Sequence, residues 1–130
     1  MDRKQVFTGS PWEPIVGYCR AIRVGDRIEV AGTTALRDGE VVGADDPYEQ
    51  TKHILHTIEE ALNELGSDMS DVVRTRIYVT DISKWEAVGK AHGEFFKDVR
   101  PAATMVEVKA LIDPRLLVEI EAEAIVRVKG

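Results

Sequence analysis

Three histidines, one cysteine and a set of charged residues at alternating positions are the groups through which this 130-residue chain could do chemistry. His53 and His56 stand three apart, a spacing at which one helical face offers two imidazoles to a metal. The apolar positions around them, Ile54, Leu55 and Ile58, turn both toward the opposite side of the helix, so solvent exposure is expected instead. His92 falls at the centre of an apolar stripe near Gly89 and reads as a buried, satisfied imidazole; a cleft role with titration near neutrality is the alternative. Cys19 has no partner for an intrachain disulfide and alternates away from Tyr18, toward the core, as an inert thiol. Trp12 leans either over a cleft mouth or against a subunit edge. No phosphate loop, nucleotide fingerprint or Ser-His-Asp signature is present. Read with period two, Tyr18, Arg20, Glu29, Arg74, Arg76, Met105, Glu107, Glu119 and Glu121 share one sheet face. A face of mixed sign is either solvated or lines a subunit interface or ligand cleft with its charges paired.

The elements that must position these groups follow from periodicity. Gly9, Ser10, Pro11, Pro14 and Gly17 make the first twenty residues an irregular arm. Tyr18 to Val24, Gly25-Asp26, and Arg27 to Thr34 form a hairpin pattern in which Ile28 and Val30 oppose Arg27, Glu29 and Ala31. After a polar stretch from Arg37 to Asp45, Asp46 as N-cap, Pro47 at the first helical position and Glu49 three residues after the cap open a helix. Its stripe is Ile54, Leu55, Ile58, Ala61, Leu62 and Leu65, and Gly66 stops it. Val72 to Thr80 is a third strand. Ser83 with Glu86 predicts a second capping box, ahead of the stripe Trp85, Val88, His92, Phe95, Phe96 and Val99, with an end near Asp98. Ala102 to Leu111 and Leu117 to Val128 complete the strands. The order ββαβαββ predicts an α+β sandwich, two helices on one face of a mixed sheet, formed by a single domain over residues 1–130.

Composition sets the outer limits. Hydrophobic residues at 44% and charged residues at 31% describe a globular chain, not a disordered one. The 17 basic and 23 acidic residues leave a net charge of −6, which repels polyanions and argues against nucleic-acid binding. No apolar run is long enough for a membrane span, and the start MDRKQVFTGS has no apolar signal core, so a cytoplasmic location is expected.

Five stretches carry a resemblance: Gly17-Tyr18, Val30-Ala31-Gly32, VVRTRIYVTDISKWEAV from Val72, RPAATMVEVKAL from Arg100, and LVEIEAEAI from Leu117. In this order the chain resembles the Rid (YjgF) family from about Val6 to Val128. The resemblance implies a chorismate-mutase-like fold and a homotrimer with small-molecule clefts between subunits. In active members these clefts hydrolyse imines and enamines derived from amino acids, such as 2-aminoacrylate, without metal or organic cofactor. A substrate carboxylate suits the planar fork of an arginine, and a carboxyl group near the imine carbon can position or deprotonate the attacking water.

Carried over residue by residue, Tyr18 falls on the family's cleft tyrosine and Glu119 on the glutamate associated with the water. The carboxylate-binding arginine falls on Ala103, the cleft serine on Ala31, the cleft cysteine on Met105 and the cleft asparagine on Gly89. Gly32, Thr104 and Arg20 complete the expected ligand-binding set, with Glu119 as the catalytic candidate. Loss of the arginine points away from standard 2-imino acids and toward a non-standard imine or enamine. A substitute cation for an anionic ligand would be Arg20, Arg76 or Arg100. Two other readings stand beside this one: a non-catalytic metabolite-binding or regulatory trimer, and an endoribonuclease or translation inhibitor, which the acidic balance opposes.

Overall fold

The structure is a computed structural model that describes residues 2–127. Eight strands and two principal helices follow in chain order: β1 (Arg3–Val6), β2 (Ala21–Val24), β3 (Arg27–Thr34), β4 (Leu36–Arg37), β5 (Glu40–Val41), α1 (Pro47–Glu64), β6 (Val72–Val79), α2 (Trp85–Phe96), β7 (Ala102–Glu107) and β8 (Val118–Ile125). Six of the strands form one sheet in the order β1-β2-β3-β8-β6-β7. All its pairings are antiparallel except that of β6 with β7, which α2 connects as a crossover. The α+β, chorismate-mutase-like arrangement expected from the sequence is the one observed.

α1 forms where its caps require. The Asp46 carboxylate accepts from the Glu49 N–H at 3.1 Å, and Pro47 occupies the first turn, where a missing N–H costs nothing. At the far end Gly66 adopts φ +79°, and its N–H and that of Ser67 donate to Asn63 and Leu62 carbonyls, a Schellman stop. Ile54, Leu55, Ile58 and Leu62 are fully buried against Ile28 and Val30 of β3, Ile77 and Val79 of β6, and Val118, Ile120, Ala122 and Ala124 of β8. Val88 and Phe96 of α2 complete the core, leaving the opposite sheet face to charged side chains.

Several expectations need correction. The arm is not irregular throughout, because Arg3–Val6 pairs with β2 as an edge strand. β2 begins at Ala21, which leaves Tyr18, Cys19 and Arg20 ahead of the ladder, and Cys19 is half-buried. The polar stretch after Arg37 contains the small β4–β5 hairpin. Ser83 and Glu86 form no capping box; Asp81 instead caps a 3₁₀ turn, Ile82–Lys84, by accepting from the Ser83 N–H, and α2 starts behind it at Trp85, which is 55% exposed. Met105 and Glu107 lie on the helix-facing side, since their register partners are Ile77 and Val79; Met105 packs against the core. β7 and β8 are shorter than expected, and Val128 lies outside the described residues.

Candidate functional site

The predicted site residues fall into two groups on this chain. The first is organised by a break in alternation on β3. Val30 pairs with Ala122 and Thr33 with Ile120, so Ala31 and Gly32 together oppose Glu121 as a β-bulge. The bulge is secured from the arm: the Ala31 N–H donates to the Arg20 carbonyl at 2.9 Å, and the Arg20 guanidinium donates to the Gly32 carbonyl at 2.6 Å and to Thr33 Oγ1 at 3.1 Å. Arg20 is only 7% exposed. Its charge is balanced by Glu13 at 3.8 Å, itself buried and accepting from Thr8 Oγ1 at 2.8 Å. Glu13 opens a single π turn closed by the Tyr18 N–H on its carbonyl, and this turn sets the Tyr18 ring against the Arg20 guanidinium, 5.6 Å from its centroid.

Glu119 of β8 reaches over the bulge. A Cβ on Gly32 would stand 2.6 Å from Glu119 Oε2, so only glycine there leaves the carboxylate its place. Burial pushes the Glu119 carboxyl above the usual range; Arg20 pulls it down and Glu121 pushes it further up. Among the described residues its carboxylate accepts no hydrogen bond, whereas its neighbours on the face are engaged. Arg76 donates to Glu123 at 2.6 Å, Tyr78 to Glu121 at 2.8 Å, and Arg27 to Glu29 at 2.8 Å.

The second group lies at the other edge of the sheet. Ala103 pairs with Thr75 and Met105 with Ile77, so both point toward the helices, while Thr104 points to the charged face and accepts from Arg74 at 2.7 Å. Thr75 is fully buried, with its hydroxyl 2.9 Å from His92 Nε2; the His92 ring rests 4.6 Å from Phe96. Burial pushes the imidazole down, toward its neutral form. Gly89, one turn before His92, faces only Trp85, at 3.9 Å from a notional Cβ. Ala103 and Met105 therefore present a methyl and a thioether on one side of an edge whose other side carries Thr104 and Arg74.

Glu119 and Ala103 sit on opposite faces of the sheet with β6 between their strands, so one chain does not join the two groups. Each of the candidate substitute cations has a partner within the chain. Arg20 and Arg76 are held as above, and Arg100, at φ +54°, is exposed and turned back onto the Lys97 carbonyl at 3.1 Å. His56 is exposed and His53 half-buried, and among the described residues no cluster of three or more His, Cys, Asp or Glu could hold a metal. Nor is any described helix long and apolar enough to cross a membrane. An open groove of about 480 Å³ runs past Phe7, Pro11, Pro14 and Tyr18, without Trp12. A smaller cavity of about 190 Å³, between the starts of α1 and α2, contains none of the predicted residues. Glu13, Thr33 and Thr75 were not singled out from sequence: Glu13 sits in an aperiodic arm, and the two threonines read only as strand formers.

The sequence profile of the endoribonuclease L-PSP family matches residues 8–126. A solved structure of a YjgF/YER057c/UK114 family member from Mycobacterium tuberculosis is 51% identical, with a TM-score of 0.88 over 96% of this chain and all of that one. An uncharacterized protein of Streptomyces coelicolor is 46% identical over 93% of this chain and 90% of its own length. A RutC family protein of Pyrococcus abyssi is 35% identical over 95% and 98%.

Proposed function

The chain belongs to the endoribonuclease L-PSP family, also called YjgF or Rid, and from that premise we propose that it forms a homotrimer of single-domain subunits whose clefts hydrolyse a non-standard imine or enamine. The observation that carries this reading is the Glu119 carboxylate, half-buried over a bulge and without a donor of its own. The separation of the two residue groups supports an assembly as well, because a neighbouring subunit could bring its Ala103–Met105 edge to the Tyr18–Glu119 cluster.

In the proposed reaction the oxygen of a water molecule bonds to the imine carbon while Glu119 takes one of its protons, and the C=N π electrons move to nitrogen. Glu119 then returns a proton to that nitrogen. Glu119 next takes the carbinolamine hydroxyl proton and passes it to nitrogen; as the C=O bond forms the C–N bond breaks, so that imine and water give a carbonyl compound and ammonia. Burial raises the Glu119 pKa, which makes the carboxylate a stronger base toward the water proton than an ordinary one.

Ammonia release from imines generated in situ by an amine oxidase, with wild type and Glu119→Ala side by side, tests the reading. A rate above the spontaneous one that disappears in the variant is the expected result. The methyl of Ala103 at an exposed strand edge favours the second reading, a non-catalytic metabolite-binding trimer; absence of turnover on every imine, with saturable ligand binding retained, selects it. An RNA-directed activity is opposed by the acidic sheet face and the net charge of −6.

A further inference from the structure

On the sheet face opposite the helices, three guanidinium groups, from Arg27, Arg74 and Arg76, meet four carboxylates, from Glu29, Glu119, Glu121 and Glu123. The pairing is uneven. Arg27 and Arg76 both approach Glu123, at 3.4 and 2.6 Å, Arg27 also holds Glu29, and Tyr78 donates to Glu121. Arg74 donates to the Thr104 hydroxyl, and its charge acts on Glu123. The nearest further cation, Arg20, is already balanced by Glu13 and fixed to the bulge carbonyl. The excess of one negative charge thus falls to Glu119, which among the described residues has no donor. Ala103 and Met105 themselves carry no charge, and the cations of their edge are Arg74, on the Thr104 hydroxyl, and Arg100, turned back onto the Lys97 carbonyl. Any assembly that removes water from this face must protonate Glu119 or pair it with a cation.

We infer that the cleft takes small organic cations, an iminium or protonated amine without a carboxylate, with the N–H⁺ on Glu119 and the hydrocarbon against Tyr18 and the Ala103–Met105 edge. This deepens the function proposed above and rests on its inter-subunit cleft for the apolar wall. It assigns the site a preference opposite in sign to that of a carboxylate-binding one. It also fits hydrolysis: a protonated C=N is the more electrophilic form, and its charge is largest beside the carboxylate that handles the water.

Three five-membered rings of nearly equal shape test the charge preference: pyrrolidine as cation, proline as zwitterion and cyclopentanecarboxylate as anion, titrated into the purified protein by ligand-observed NMR. Pyrrolidine should bind at least about tenfold more tightly than either other ring, a modest return for one ion contact in a partly buried site. Glu119→Gln, which keeps the shape and removes a partly buried charge, should abolish that preference, whereas Arg100→Ala should leave it unchanged. Tightest binding by the carboxylate, above all if Arg100→Ala removes it, overturns the inference; so does undetectable pyrrolidine binding, or equal binding by Glu119→Gln. Light scattering and the ammonia assay on the same samples keep the two readings apart. Glu119-dependent pyrrolidine binding by a trimer without turnover sinks the proposed catalysis alone, and an active trimer that prefers the anion sinks this inference alone.

Discussion

Gly32→Ala probes directly whether the bulge sets the position of the reactive carboxylate. Gly32 does not occupy the left-handed region, so alanine meets no backbone penalty there and the effect is steric. The new Cβ would lie 2.6 Å from Glu119 Oε2 and 2.9 Å from its Cδ, and ordinary contact begins at 3.4 Å, so the carboxylate must retreat by about 0.8 Å. The obstruction is the mobile end of a side chain, and the cost to stability should stay near 1 kcal/mol, at the low end for overpacking. Chemistry is less forgiving: a misplacement of about 1 Å can cost on the order of 100-fold, so kcat should fall by about 10- to 100-fold. Ammonia release and thermal unfolding, measured on the same preparation, separate the two effects. Gly93→Ala is the matched control. It lies inside α2 with nothing within 4 Å of its notional Cβ, and should gain about 0.5–1 kcal/mol of stability with an unchanged rate. A Gly32→Ala enzyme with the wild-type rate and melting temperature would refute the positioning role, and a rate loss fully explained by unfolding would do the same.

Other perturbations read the same architecture. Because burial raises the Glu119 pKa above its unfolded value, the group's favourable contribution is present below the unfolded pKa and is lost as pH rises through the folded one. Glu119→Gln should therefore match wild type in acid and exceed it in stability above the carboxylate range, seen in urea unfolding across pH; a difference independent of pH contradicts this. Thr75→Val leaves His92 Nε2 without its partner and should cost about 1–3 kcal/mol; a loss under about 0.5 kcal/mol would mean that the imidazole finds another donor or acceptor. Burial pushes the Asp71 carboxyl up, but hydrogen bonds from Ser67 and Arg127 outweigh it and hold the group below the usual range. Its stabilisation is present above the unfolded pKa and fades as pH falls through the folded one, so Asp71→Asn should flatten the acid side of the stability profile, an outcome that acid titration of unfolding would expose if absent.

What could be read in advance followed local rules, and what could not depended on pairing. Asp46, Pro47 and Gly66 define α1 because caps act within a few residues, and β6 and β8 show their buried faces because every second residue is apolar. β1 escaped notice because an edge strand reading Arg3-Lys4-Gln5-Val6 has one buried side chain and is held by its backbone. Met105 was assigned to the wrong face since nearly every residue of β7 is exposed, and its phase comes only from the register with β6. Arg20 stands among the candidate substitute cations in the sequence because its principal acceptor, the Gly32 carbonyl, exists only where the ladder is interrupted. The division of the expected site into two groups is likewise topological: positions far apart in sequence give no hint that β6 stands between them.

The place of β8 has a consequence for how the chain comes together in time. It follows the other described strands in sequence, yet it lies in the middle of the sheet, between β3 and β6. Until it is in place the arm with its hairpin and the β6–α2–β7 crossover are two fragments, each presenting a bare, apolar strand flank to whatever meets it first. Correct closure is a race between β8 and a wrong neighbour, so crowded synthesis penalises every delay in delivering that strand.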